Sequence, residues 1–120
     1  MKIFILEDDL NRIEQFRRKL IRHNVSYCDD VETAKAILGK DKYDIIFFDH
    51  DLGGEQMVDS SEANTGYQLA KWIRSENMKF DQIVIHSCNP IGAANIEREV
   101  KGLAPDIIRL PFPILIKTMK

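Results

Sequence analysis

The chain has almost no cysteine, no hydrophobic run of membrane-spanning length, no large excess of either charge and no low-complexity tract. Each absence excludes something. Its two cysteines, Cys28 and Cys88, form neither a zinc-type spacing nor a redox pair, so free thiols in a reducing cytoplasm are expected. No apolar stretch approaches the roughly 20 residues of a spanning helix. Met1-Lys2 leads directly into a strand-like run rather than a signal peptide, so a cytoplasmic location with no membrane partner is expected. Seventeen basic and 19 acidic side chains give a formal net charge of -2, which excludes a broad electrostatic grip on nucleic acid. That balance leaves room for a small nucleotide or an RNA end in a local pocket. With no internal repeat and no interdomain linker, residues 1–120 are expected to form a single domain with a real core.

What is present is an alternation of short apolar runs with helical patterns. The central run is Asp44-Ile45-Ile46-Phe47-Phe48-Asp49-His50-Asp51-Leu52-Gly53-Gly54, too short for most helices and rich in strand-forming residues. Lys2 to Leu6 reads as a first strand ending in Glu7-Asp8-Asp9. Asn11 to His23 carries Ile13, Phe16, Leu20 and Ile21 at helical spacing, with Asp9 as N-cap. Val25 to Cys28 is a second strand. A helix capped by Asp29 or Asp30 then turns Ala34, Ile37 and Leu38 inward and ends at Gly39. After the central strand, Gly53 to Asn64 is a long polar connection, a binding loop or a disordered one. Asn64 or Thr65 caps a third helix with Leu69, Trp72, Ile73 and Met78 inside. Gln82 to Ser87 is the fourth strand. Asn89-Pro90 opens a helix carrying Ala93, Ile96, Val100 and Leu103, stopped by Gly102 and Pro105. Asp106 to Leu110 is the fifth strand, closed by Pro111-Phe112-Pro113. The apolar tail Ile114 to Lys120 has room for two helical turns and docks on its own sheet or on another subunit of a homo-oligomer.

Five such alternations predict an α/β fold in three layers: a five-stranded parallel sheet, flavodoxin- and receiver-like, in the order 2-1-3-4-5, with helices on both faces. The switch point then lies between strands one and three. Asp8 and Asp9 leave the first strand there, Asp49, His50 and Asp51 the third, and His86, Ser87 and Asn89 the neighbouring fourth. Asp49 and Asp51 share strand parity and point to one face, where two carboxylates are costly without a cation, proton or ligand. Carboxylates of Asp8, Asp9 and Asp49 are hard ligands suited to Mg²⁺ or Mn²⁺. Histidines titrate near neutrality, so His50 and His86 are candidates for base and acid, with Asp51 beside them. Arg12 offers a bidentate donor, and the helix after Asn89-Pro90 aims N–H groups at an anion. Quieter roles stay open: His50 as a buried orienter, His86 satisfying a carbonyl, Arg12 as partner of Asp8 or Asp9, Ser87 and Asn89 as caps.

An acidic pair after strand one, an aspartate after strand three and a hydroxyl residue after strand four resemble response-regulator receiver domains. That resemblance implies Asp49 as phosphoryl acceptor and Ser87 as switch hydroxyl, with Asp8-Asp9 and Asp49 around Mg²⁺. Receivers place a lysine before the proline that ends strand five; here Leu110 precedes Pro111, and Arg109 has the wrong parity to replace it. Leu6-Glu7-Asp8-Asp9 with Arg12, Asp49-His50-Asp51-Leu52-Gly53, Thr65-Gly66 and Ile85-His86-Ser87-Cys88-Asn89-Pro90 look like the cyclic-phosphate-processing receiver-like family. The resemblance implies a metal-assisted phosphoesterase acting on a cyclic nucleotide or a cyclic-phosphate RNA end. Arg12, Thr65, Ser87 and Asn89 would then contact substrate or phosphate. The alternatives are a signalling receiver phosphorylated on Asp49 and a non-catalytic pseudo-receiver binding a nucleotide or a protein.

Overall fold

Strands form where the sequence is apolar at successive positions, because both sides of the sheet are covered. In the computed structural model, which describes residues 1–119, they are β1 (Lys2–Leu6), β2 (Asn24–Cys28), β3 (Ile45–Phe48), β4 (Gln82–Ile85) and β5 (Asp106–Arg109). All pair in parallel, in the order β2-β1-β3-β4-β5. The helices between them are α1 (Leu10–Lys19), α2 (Val31–Lys40), α3 (Gly66–Ser75), α4 (Pro90–Val100) and α5 (Phe112–Thr118). This is the expected flavodoxin-like α/β architecture. None of the described helices is long and apolar enough to cross a membrane.

Alternating strand residues divide the core in two. Phe4, Leu6, Ile46, Phe48, Ile83 and Ile85 face α2, α3 and α4, meeting Leu38, Leu69, Ile73, Ile96 and Val100. Ile3, Ile5, Phe47 and Val84 face the other way, against Phe16 of α1 and Phe112 and Leu115 of α5. The apolar tail therefore docks on its own sheet, and α5 begins at Phe112, with Pro113 in its first turn where a missing N–H is tolerated. Lys120, the end of the expected tail, lies outside the described residues.

Three expected boundaries are corrected. α1 ends at Lys19, and Ile21, expected inside, is 78% exposed. The chain must turn at residues 20–22 because Asn24 is already paired with Lys2. Gly39 does not end α2; it is an exposed helical residue, and Asp41 is the cap. β4 stops at Ile85; His86 keeps one ladder bond beyond it, and Ser87 lies outside the strand.

α3 begins hard against the end of β3. Gly66 donates its N–H to the His50 carbonyl at 3.0 Å, and a Cβ at Gly66 would lie 1.9 Å from the Asp49 carbonyl oxygen. Only a residue without a side chain allows this approach, since the obstacle is backbone. Gly66→Ala should therefore destabilise the fold by about 2–3 kcal/mol, the upper part of the usual cost of overpacking. Urea denaturation of both proteins measures it, and an unchanged midpoint would refute the close packing.

Candidate functional site

Ile5, Phe47 and Val84 form one row across β1, β3 and β4 on the α1/α5 face. Two residues further along each strand come Glu7, Asp49 and His86. The ladder continues through them: Glu7 N–H donates to Cys28 O at 2.9 Å, Asp49 N–H to Leu6 O at 3.0 Å and His86 N–H to Phe48 O at 2.9 Å. Strand parity thus carries all three side chains to the same face, one strand spacing apart. Each offers a ligand atom within 4.8 Å of the others. Glu7 and His86 are fully buried, and Asp49 is only 4% exposed.

Burying two carboxylates side by side forces them to share charge unequally. Burial pushes Asp49 up from 3.8 to about 9, with the charge of Glu7 adding to it. Burial acts on Glu7 as well, yet the hydrogen bond from His86 foremost, with that of the Asp9 N–H, outweighs it and holds that carboxyl below its usual range. His86 Nε2 stands 2.9 Å from Glu7 Oε1. Its other nitrogen, Nδ1, has no partner among the surrounding rings of Phe16, Phe47 and Phe112. The proton belongs on Nε2, where it serves the Glu7 carboxylate; on Nδ1 it would be a buried donor without an acceptor. In the cation-free protein Glu7 is ionised and Asp49 carries a proton. The same pair, with the imidazole beside it, is a donor set that fits a divalent cation in place of that proton.

Above this floor opens a cleft of about 260 Å³. Glu7, Asp8, Asp9, Asp49, Asp51 and Glu55 line it, and among the described residues Arg12 is the one basic side chain to do so. Arg12 lies over the Phe112 ring, with Nη1 3.8 Å from Glu7 Oε1 and Nη2 3.6 Å from Cys88 Sγ. Among the described residues no other cation lines the cleft: Leu110 packs on the apolar α1/α5 face, and Arg109 pairs with Glu97 of α4 at 3.5 Å.

The expected site residues separate into groups. Asp8 is in the cleft, its Oδ2 accepting Gly54 N–H at 2.7 Å; burial and the charge of Glu7 push its carboxyl up. Asp9 lines the cleft but caps α1, accepting from Asn11 and Arg12 N–H. Thr65 is buried away from the cleft as the cap of α3. Ser87 Oγ accepts Asn89 N–H, and Asn89 caps α4 while its Nδ2 donates to Asp51 Oδ1 at 3.1 Å and to Val58 O. Neither histidine lines the cleft, although His86 reaches it through Glu7. His50 has the opposite parity to Asp49 and is buried against Gly92 of α4, where a Cβ would meet the imidazole at 2.3 Å.

His50 instead organises the 53–64 connection. Nδ1 stands 2.8 Å from Asp51 Oδ1, and Nε2 is 2.8 Å from Ser60 Oγ, which also accepts from Asn95 Nδ2. Asp51 takes the N–H groups of Met57 and Val58 as well. Burial alone would raise Asp51, but these donors, His50 and Asn89 foremost, hold it low and ionised. The order Asp51–His50–Ser60 matches that of an acyl-transfer triad. Ser60, however, faces α4 rather than the cleft, so the network acts as a pin for the loop.

Glu7 is the residue that the sequence reading left out of the candidate set. The signal was parity: counting two residues on from the aligned apolar row finds Glu7, Asp49 and His86 together, whereas Asp8 and Asp9 drew attention as an acidic pair.

Two outcomes follow from this geometry. Asp49 keeps in the fold a proton that the unfolded chain releases at 3.8, so its contribution is fully present below that pH and is lost as the pH climbs towards 9. Without cation, Asp49→Asn should be the more stable protein at pH 8, with the gap closing towards pH 4. Melting curves across pH measure it; a gap that is constant with pH would deny the buried proton. His50→Ala should speed hydrogen exchange at the Met57 and Val58 amides about 10-fold or more while sparing those of β3. Equal protection in both proteins would remove His50 as the pin.

Comparison with known proteins bears on this arrangement. Residues 1–102 match the model of the cyclic-phosphate processing receiver domain. No curated protein sequence matches the chain. Similar solved structures include NtrX from Brucella abortus in complex with ADP, at 18% identity and a TM-score of 0.64, covering 97% of this chain and 26% of that one. This chain therefore spans about a quarter of NtrX. The response regulator protein TrrA from Thermotoga maritima, in complex with Mg²⁺-BeF, is similar at 16% identity and TM-score 0.64, covering 92% of this chain and 87% of that one. A CheY-like response regulator receiver domain from Methylobacillus flagellatus gives 20% and 0.62, covering 98% and 97%. At such identities the structural likeness establishes the receiver fold, while the family model spans every segment that supplies the cleft: the chain belongs to the cyclic-phosphate processing receiver domain family.

Proposed function

We propose that the cleft hydrolyses a cyclic phosphate, a cyclic nucleotide or a cyclic-phosphate RNA end, with Mg²⁺ or Mn²⁺ as cofactor. The observation that carries this reading is the buried Glu7–Asp49 pair at the floor of a cleft lined by six acidic residues and one arginine. A phosphate entering so acidic a space needs a compensating cation. Glu7 and Asp49 would hold it, with Asp8 beside them. When bound, such an ion lowers the pKa of a water and draws charge from the phosphoryl oxygens. TrrA, a structural neighbour, was solved in complex with Mg²⁺-BeF, which supports Mg²⁺ as the first ion to test.

The chain's own residues do the rest. Water adds to phosphorus, the ring P–O bond breaks, and the released alkoxide oxygen takes a proton, leaving a monoester. Arg12, whose guanidinium reaches from Glu7 to Cys88, is the donor for a phosphoryl oxygen. Asp8 is the candidate for proton transfer, since its carboxyl is raised and Oδ1 is not engaged by Gly54. His86 is a positioning residue: Nε2 fixes Glu7 and keeps it ionised. His50 and Asp51 hold the loop that roofs the cleft. The proton shuttle thus moves from the expected histidines to a carboxyl.

The test is a panel of 2′,3′- and 3′,5′-cyclic nucleotides and RNA with a cyclic phosphate end, followed by ³¹P NMR with Mg²⁺, Mn²⁺ or EDTA. Ring opening is expected only with cation. Asp8→Asn should lower turnover by about 10²–10⁴-fold at any cation concentration. His86→Ala should lower activity by about 10–100-fold and recover in part as cation is raised, as for groups that orient metal ligands. Hydrolysis that survives EDTA would refute the cation. No ring opening, together with a stable phosphoryl adduct on Asp49 after treatment with a small phosphodonor, would favour receiver signalling instead.

A further inference from the structure

The cleft is a tight fit for a whole nucleotide. Its volume of about 260 Å³ falls under the roughly 300–1,000 Å³ of sites that bury a drug-sized ligand. A cyclic phosphate with its sugar suits that space, and whatever the sugar carries must lie across the lip.

The lip is Met57. Its side chain lines the cleft, is 65% exposed and packs in neither half of the core. Its backbone has φ 52°, a conformation disfavoured for a side chain of this kind. The strain persists because Met57 N–H is held by Asp51 Oδ2 at 2.7 Å, and Asp51 is in turn held by His50 and Asn89. The network that pins the loop thus also holds one thioether out in solvent, away from both halves of the core. Leu10 and Ile91, in the first turns of α1 and α4, are exposed apolar residues at the same carboxyl edge of the sheet. Beside Met57 in the lining stand Glu55 and Gln56, with acceptors and an amide donor.

We infer that Met57 is the platform for the heteroaromatic base of a nucleoside cyclic phosphate, an inference that rests on the phosphoesterase reading. A flat ring gains from a polarisable sulfur against its face or edge. The amino and ring N–H groups of a base can meet Glu55 and Gln56. An aliphatic tail would match the thioether yet leave those two polar groups unused, and a bare polyol phosphate would leave the thioether unused.

The test uses the whole chain carrying ¹³C-methyl methionine, with Mg²⁺ and two probes: adenosine 2′,3′-cyclic monophosphate and base-free 1-O-methylribose 2,3-cyclic phosphate. The adenosine compound should shift the Met57 methyl upfield through the ring current, and the base-free compound should not. ³¹P spectra of the same samples read hydrolysis. Met57→Asn, a residue that tolerates this backbone conformation, should raise KM for the adenosine compound about 2- to 10-fold more than for the base-free one. A Met57 methyl indifferent to adenosine, or an equal KM change for both probes, overturns the platform. Hydrolysis without the ring-current shift removes the platform and leaves the phosphoesterase. The ring-current shift without hydrolysis does the reverse.

Discussion

Two carboxylates that cannot both be charged, Glu7 and Asp49, set the conditions for the rest of the site. They are placed together by the sheet itself, since each ends a strand of the same parity and each backbone N–H is still in the ladder. Neither can move away without breaking that ladder. Out of water, such a pair is tolerated only when something supplies positive charge or a proton. His86 serves Glu7 from behind, Arg12 approaches from the cleft, and Asp49 keeps a proton. The aromatic wall of Phe16, Phe47 and Phe112 completes the arrangement by denying His86 Nδ1 a competing partner. Packing of one half of the core thereby fixes the tautomer of a residue that touches the site.

The two histidines that look equivalent in sequence, each following a strand, divide by parity. His86 continues the Val84 side of the sheet and meets Glu7; His50 continues the Phe48 side and is swallowed by α4. One conditions charge at the floor and the other holds the roof. Their burial is what allows both jobs, because an exposed imidazole would exchange these partners for water.

Much of the fold was legible because hydrophobic alternation, caps and strand order are local or topological signals: Asp9, Asp30, Thr65 and Asn89 all cap helices as their residue types suggest. Ends governed by pairing were less so. Ile21 fits a helical stripe, but register with β1 required a turn before it. In the site, Asp8, Asp49 and Arg12 could be read from their place at strand ends, whereas Glu7 was hidden between a strand and an eye-catching acidic pair. What no local pattern encodes is which side chains a long connection will recruit. The link from His50 to Ser60 and Asn95, and the crowding of that imidazole by Gly92, exist only once α4 is docked.

The roof of the cleft has a kinetic consequence. Its hydrogen bonds run to β3, α3 and α4 at once, through Asp51, Gln68, Asn89 and Asn95. It is therefore part of the scaffold rather than a flap, and lifting it would disturb the start of α4. On the proposed phosphoesterase reading, such an aperture needs no closure step before chemistry and no reopening step before product release. On the same reading the opening itself would select, admitting a terminal group where the interior of a long chain is turned away.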